Sequence, residues 1–502
     1  AVWQALRADA APLAEPLIRF TGRTAPDGGE AVLRAAFDEA LALPIAAPAD
    51  TGPATFAYGD FGPAGTVVAD ASEPRLGLRL IRFANGIRLT LKNTDVRKDR
   101  IAFAMAVDGG DLMNTPQAPL ATYLAGSLAA GGLGLHSQDD LATVLAGRSV
   151  SFELASSTDA FTASAVTTPR DLLMQLQVLA ATLTDPGYRP EGVERFRKGI
   201  DNFFATLDST PARALGAASG RIVSDGDPRF SLQPKEAYLA LDYEGLRAVI
   251  GDRLARGAIE LALVGDLDEE AAIAAVAATL GALPAREEVF DPREERRTRP
   301  FTPVRGEHLL THKGEPDQAL LQWIWPTTDD RDLAETLRLD LLARIVRLEL
   351  TDRLREELGQ AYSPSAGAAN SHHYRGYGTF AITSSVAAGE VAATRAAVAG
   401  LVAELRAGPV DADLLERARK PYLEEYANLL KDIGGWLGLA ARAQSEPDRI
   451  DRHFAVPEVM AAITPEDLHR TALRYLAPTD AVAFVVVPEA TAPAAEGPQT
   501  LQ

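Results

Sequence analysis

Arg355 and Tyr362 stand seven positions apart (362 − 355) in the stretch DRLREELGQAYSPS, residues 352–365. One carries a planar fork of N–H donors, the other a phenolic O–H. Leu337, Leu341, Ile345 and Leu348 recur at helical steps upstream, and Leu354 and Leu358 extend the stripe with one slip. Gly359 falls where a helix stops, since glycine takes the left-handed cap without strain. AYSPSAG then reads as extended chain. The spacing therefore puts Arg355 in the last helical turn and Tyr362 just past the break, so both groups leave one corner. Read alone, the pair could equally be a helix-end cation and a half-buried strand aromatic.

Other chemistries are poorly served. The histidines stand at 136, 308, 312, 372, 373, 453 and 469. His308 and His312 lie in EHLLTHKGE, which reads as a strand, where residues i and i+4 share a face but stand too far apart for one metal. His372 and His373, in SHHYRGYG, read as solvated loop residues. Asp139-Asp140 and Asp329-Asp330 fall at helix starts, where acidic side chains serve as caps. There is no GxSxG elbow on a strand–turn–helix and no GxxxxGK[ST] phosphate loop. With no cysteine, disulfides, thiol catalysis and thiolate metal sites are excluded together; this composition is compatible with any compartment and fits an envelope protein.

The bulk numbers describe a globular chain of several domains: 502 residues, 47 % hydrophobic and 24 % charged. A net charge of −19 argues against nucleic acid as a partner. No apolar run reaches the ~18 residues of a membrane span. The chain opens AVWQALRADAAP without Met or a signal peptide, which reads as a removed leader or a piece of something longer.

The elements that must position the motif follow in order. Residues 31–43 read as a short helix, 46–54 as a loop, and 56–68 as a strand broken by glycines. LRLIRFANGIRLTLKNTD is a hairpin around Asn85-Gly86, and 101–110 a third strand. Helices are expected over roughly 117–130 and 138–147, a strand pair in SVSFELASSTDAFTASAVTTP, and helices at 170–183 and 190–207. A buried strand, a VGD turn and an Ala-rich helix close the unit. PAREEVFDPREERRTRPFTPVRGE has no periodicity and reads as a linker. The order then repeats: ALLQWIWP answers IAFAMAVDGG, the helix 334–358 answers 117–147, and four further segments follow colinearly to TDAVAFVVVPEA, which answers ELALVGDLDEE. Strands followed by helices, twice, imply an α+β chain of two tandem domains, each a mostly antiparallel sheet packed against helices. The expected division is an arm at 1–75, a first domain at 76–290, a linker at 291–304, a second domain at 305–490 and a tail at 491–502.

The motif LREExGxAYS closely resembles the arginine–tyrosine motif of the pitrilysin/insulin-degrading-enzyme family, zinc peptidases with an inverted HxxEH, and the resemblance extends over roughly residues 56–490. It implies the half-molecule without the metal, in which Arg355 and Tyr362 reach into the zinc site of another half and hold the substrate. Where an HxxEH would stand, this sequence has Thr122, Ala125 and Gly126, which offer no ligand set for Zn²⁺. The implied chain has no cofactor or catalytic residue of its own. It works with an HxxEH-bearing half, either an N-terminal part of the same natural chain or a separate subunit, on unfolded peptides. Residues 1–75 resemble the connector between such halves. The expected location is the periplasm or cell envelope, otherwise the cytoplasm. A structural scaffold from the same family and a free-standing peptide-binding module are the rival readings.

Overall fold

Apolar alternation builds the strands, and two of them are apolar on both faces because both faces are covered. The computed structural model describes residues 17–22, 24–42, 55–358 and 364–491, the side chains of 41, 355–358 and 491 excepted. Residues 1–54 are a unit of their own, whose described part holds helix α1 (Gly29–Ala42). Residues 55–502 are the second unit, an α+β body with two sheets.

The first sheet contains β1 (Val67–Glu73), β2 (Leu78–Phe83), β3 (Arg88–Asn93), β4 (Ile101–Asp108), β5 (Ala155–Ser156), β6 (Ala160–Thr167) and β7 (Ile259–Gly265), in the order β1-β2-β3-β7-β4-β6-β5. All neighbours are antiparallel except β3 and β7. The β2–β3 hairpin turns at Asn85-Gly86, with Gly86 at φ 93°, a conformation open to glycine and costly for other residues. The helices threaded through this sheet are α2 (Gln138–Val144), α3 (Leu172–Thr184), α4 (Pro190–Ala205), α5 (Pro211–Val223), α6 (Lys235–Leu239), α7 (Tyr243–Arg256) and α8 (Glu269–Ala277). On one face, Leu176, Leu179, Ile250 and Val276 of these helices join Phe103, Leu261 and Leu263 of the sheet in one core.

The second sheet contains β8 (Gly306–His312), β9 (Gln318–Pro326), β10 (Ser365–Asn370), β11 (Gly378–Ala387) and β12 (Val482–Pro488), in the order β10-β11-β9-β12-β8. Its helices are α9 (Leu333–Leu358), α10 (Val391–Ala407), α11 (Ala412–Asn428), α12 (Ile433–Ala440), α13 (Asp448–Ala462) and α14 (Pro465–Tyr475). The wiring repeats that of the first sheet. β12 lies parallel to β8 and antiparallel to β9, as β7 lies parallel to β3 and antiparallel to β4. β11 and β10 then follow β9 as β6 and β5 follow β4.

Each sheet borrows a helix from the other half of this unit. Ile433, Leu439 and Ala440 of α12 pack on Ala262 and Val264 of β7, on the face opposite α3 and α7. Reciprocally, Leu215 and Val223 of α5 pack on Val482, Phe484 and Val486 of β12. Both strands are thus sandwiched, which is why they read as near-continuous apolar runs, interrupted in β7 by Glu260 alone.

Three expectations from the sequence are corrected. Residues 117–130 are not an α-helix: turns lead into a nine-residue 3-10 helix, Tyr123–Gly131. Pro116 and Pro119 lack the N–H a helix needs, and Asn114 Oδ1 accepts the Thr122 N–H at 3.1 Å. Residues 56–66 are not a strand. Phe56, Tyr58 and Phe61 instead lay their rings on the Leu133–Leu141 cluster, and pairing begins at Val67. Of the expected strand at 149–157, only Ala155 and Ser156 pair with β6. The Ser149 N–H goes to Asp171 at 2.9 Å and the Ser151 N–H to Gln175 at 2.7 Å, side chains at the head of α3.

Candidate functional site

The apolar stripe of α9 does what its spacing requires. Leu337, Leu341 and Ile345 are buried in one cluster with Trp325, Phe380 and the neighbouring helices, and Leu354 is buried as well. The helix backbone runs to Leu358, so Arg355 lies in its last described turn. The Arg355 side chain and all of Tyr362 lie outside the described residues, as do the expected 46–54 loop and most of the 491–502 tail. The chain resumes in β10, where Ser365 pairs with Thr383. β10 is an edge strand, paired on one side among the described residues. Its outer N–H and C=O groups are the natural acceptors of an added extended chain. The six residues between helix end and strand start (359–364) therefore join a helix terminus to the edge strand of the second sheet.

Thr122, Ala125 and Gly126 do not make a metal site. Thr122 is buried, and its hydroxyl donates to Asp111 Oδ1 at 2.9 Å and lies 3.2 Å from Asn114 Oδ1. Ala125 is fully buried in the first core, and Gly126 has open space above its Cα. A methyl group, a hydrogen and an engaged hydroxyl do not fit zinc, which takes thiolate, imidazole or carboxylate ligands.

A polar cluster at the junction of the two sheets escaped the sequence reading. Asp159, at the head of β6, faces Arg442 at 3.1 Å, Arg297 at 3.6 Å and His373 at 3.7 Å. Burial pushes its carboxyl up, but Arg442, His373 and Arg297 together hold it below the usual range. His372 Nδ1 lies 2.9 Å from Asp330 Oδ2 and its Nε2 3.7 Å from Glu446. The histidines are thus not free loop residues: the acidic groups capture them. Nor are Asp329 and Asp330 helix caps. Asp332 Oδ1 accepts the Glu335 N–H at the start of α9, while Asp329 accepts Gly376 N–H at 2.8 Å and Asp330 holds His372. Buried Asp108, at the end of β4, completes the junction through Arg253 and Arg293, at 3.0 and 2.6 Å. The segment expected as a linker is thereby pinned rather than loose. The available signal was the run of arginines in PREERRTRP, whose partners lie far away in sequence.

Among protein families, residues 240–422 match the model described as the peptidase M16 inactive domain. No curated protein sequence matches the chain. Among solved structures, the periplasmic protease PqqL from Escherichia coli is similar with a TM-score of 0.72 at 15 % identity, over 92 % of this chain and 51 % of that one. The chain therefore spans about half the length of PqqL. A peptidase M16 inactive domain from Pseudomonas fluorescens is similar at TM-score 0.66 and 15 % identity, over 84 % of this chain and 100 % of that one. A protease from Helicobacter pylori gives 0.69 at 12 % identity, over 82 % and 99 %. At such identities the likeness is one of fold. Residues 240–422 thus match a peptidase M16 inactive domain, and the chain as a whole has a fold similar to that of half-molecules of such proteases.

Proposed function

We propose that this chain is the non-catalytic half of a zinc-dependent peptidase, and that it supplies Arg355 and Tyr362 to a site built by an HxxEH-bearing half. The match of residues 240–422 to the inactive domain carries the reading. The intact LREExGxAYS motif supports it further, since a scaffold has no use for that pair. The two sheets share one wiring, which favours an internal duplication with the second copy bearing the motif. Zinc, held by the other half, would supply the activated water. This chain's part is to hold the peptide: Arg355 on neighbouring backbone carbonyls, Tyr362 on the scissile carbonyl as it gains charge, and the edge of β10 alongside. The HxxEH half would be an N-terminal part of the natural protein or a separate subunit, and substrates would be unfolded peptides. An envelope location fits the cysteine-free composition and the periplasmic neighbour; no helix among the described residues is long and apolar enough to cross a membrane.

Reconstitution with an HxxEH half tests this on a fluorogenic peptide. A donor that strengthens only as charge develops acts on kcat, so Tyr362→Phe should lower kcat about 10²–10³-fold with an unchanged melting curve. Arg355→Ala should act mainly on KM, with poor rescue by lysine, which lacks the fork. A kcat within about twofold of wild type for Tyr362→Phe makes the phenol a structural aromatic and ends the proposal.

A further inference from the structure

A cavity of about 350 Å³ opens beside Thr122, lined by the 111–123 turn, by residues 228–238, by Arg296 and Arg299, and by Tyr374 of the β10–β11 loop. That volume lies in the range of small-ligand sites, ~300–1,000 Å³. Three guanidinium groups face it, and their states differ. Arg229 is neutralised by Asp227, with Nε–Oδ1 at 3.1 Å and Nη2–Oδ2 at 2.7 Å. Arg296 reaches Glu295 at 3.6 Å. Arg299 enters no ion pair among the described residues, and its buried Nε has no hydrogen-bond partner. Three aromatic rings surround it instead. Its Cζ lies 4.4 Å from the Phe230 centroid, 4.6 Å from Tyr377 and 5.9 Å from Tyr374.

A guanidinium held by ring faces keeps its charge and its orientation; the Tyr377 hydroxyl accepts from one of its donors, and the buried Nε stays unmatched. Leaving a donor of this kind buried and unmatched costs free energy that a bound anion would recover. The same cavity presents the Asp111 carboxylate and Asn114. A carboxylate on the wall disfavours a multiply charged anion but accepts N–H donors. A singly charged ligand that brings N–H groups with its carboxylate matches both features, and a peptide end does so.

We infer that this cavity binds the C-terminal carboxylate of a peptide, with Arg299 as its anchor and Asp111 and Asn114 as acceptors for the adjoining N–H groups. The choice of a peptide rests on the proposed function; the carboxylate rests on the cavity alone. The test uses the chain without any HxxEH half, so a failed reconstitution leaves it untouched. The probes are tetra-alanine labelled at its N-terminus, with a free C-terminal carboxylate or a C-terminal amide, titrated by fluorescence anisotropy. The free acid should bind at least about tenfold tighter than the amide, as a charged hydrogen-bonded pair provides. Arg299→Gln should erase that preference and Arg299→Lys should keep part of it, with thermal melts confirming the fold of each. Equal binding of acid and amide, or no binding of either, overturns the inference. So does a preference that survives Arg299→Gln and disappears in Arg355→Ala, which would move the anchor to the motif. Displacement of the acid by inorganic phosphate at concentrations where acetate is inert would overturn the carboxylate assignment.

Discussion

His372 and His373 are adjacent in sequence, with ring centroids 5.1 Å apart, yet they are set to titrate in opposite senses. The Asp330 contact, outweighing burial, raises His372 above its ordinary value of 6.5, and Glu446 adds to it against Arg449. Burial lowers His373, with His372 and Arg297 reinforcing it against Asp159 and Glu446. A raised group contributes stability below its unfolded pKa and loses it as pH rises through the folded one. A lowered histidine does the reverse, since the unfolded chain binds the proton first. His372→Gln should therefore lose stability at pH 5.5 relative to wild type and lose less at pH 8. His373→Gln should remove a penalty that wild type carries at pH 5.5. Urea denaturation of both variants at the two pH values checks the signs, and parallel pH profiles for the two would show that neither ring is tuned by its neighbours. At this scale the sequence was a poor guide. The end of α9 at Leu358 was legible because a helical stripe and its glycine stop are local facts. The acidic groups that capture the histidines lie about 40 residues away or more, across the fold, and nothing in SHHYRGYG announces them.

At the scale of elements, alternation and breakers predicted most of what formed: the hairpin at Asn85-Gly86, β4, β7, β9, β12, and the helices α3, α4, α9 and α10. Misreadings fell where side chains compete with backbone pairing, as Asn114 does before the 3-10 helix and Asp171 does before β5. Helix α12 was not anticipated, because IGGWLGLA is apolar without a helical stripe. It is held by a buried side chain on the strand it covers. Glu260 of β7 is 1 % exposed and accepts the N–H groups of Gln444 and Ser445 at 2.8 and 3.0 Å, in the turn that follows α12. Glu260→Gln leaves one acceptor and turns an N–H₂ toward an N–H, at a cost of about 1–3 kcal/mol. Chemical denaturation reads this directly; an unchanged midpoint would mean that apolar packing of Ala443 and Ile450 alone seats the turn.

For the whole molecule, the exchange of α5 and α12 makes the two sheets interdependent. A fragment of residues 55–290 keeps its seven-stranded sheet but exposes the face of Ala262 and Val264. A fragment of residues 305–491 exposes Val482, Phe484 and Val486. Patches of that kind drive association, so each fragment should aggregate or bind a hydrophobic dye alone, and mixing the two during refolding should restore a soluble complex. Two soluble, cooperatively melting fragments would show that the exchanged helices are dispensable. Time adds a different consequence of the same exchange. Helix α5 ends at Val223, and the strand it covers ends at Pro488, 265 residues later (488 − 223). At ~5–20 residues per second, roughly 13–53 s of synthesis separate them. Until β12 appears, the apolar side of α5 has only earlier residues such as Phe301, Leu310 and Leu320 to meet, and the first sheet also waits for α12 to appear. The nascent protein is thus incompletely covered for a long interval at Leu215 and Val223, where a chaperone that reads apolar helices would find it.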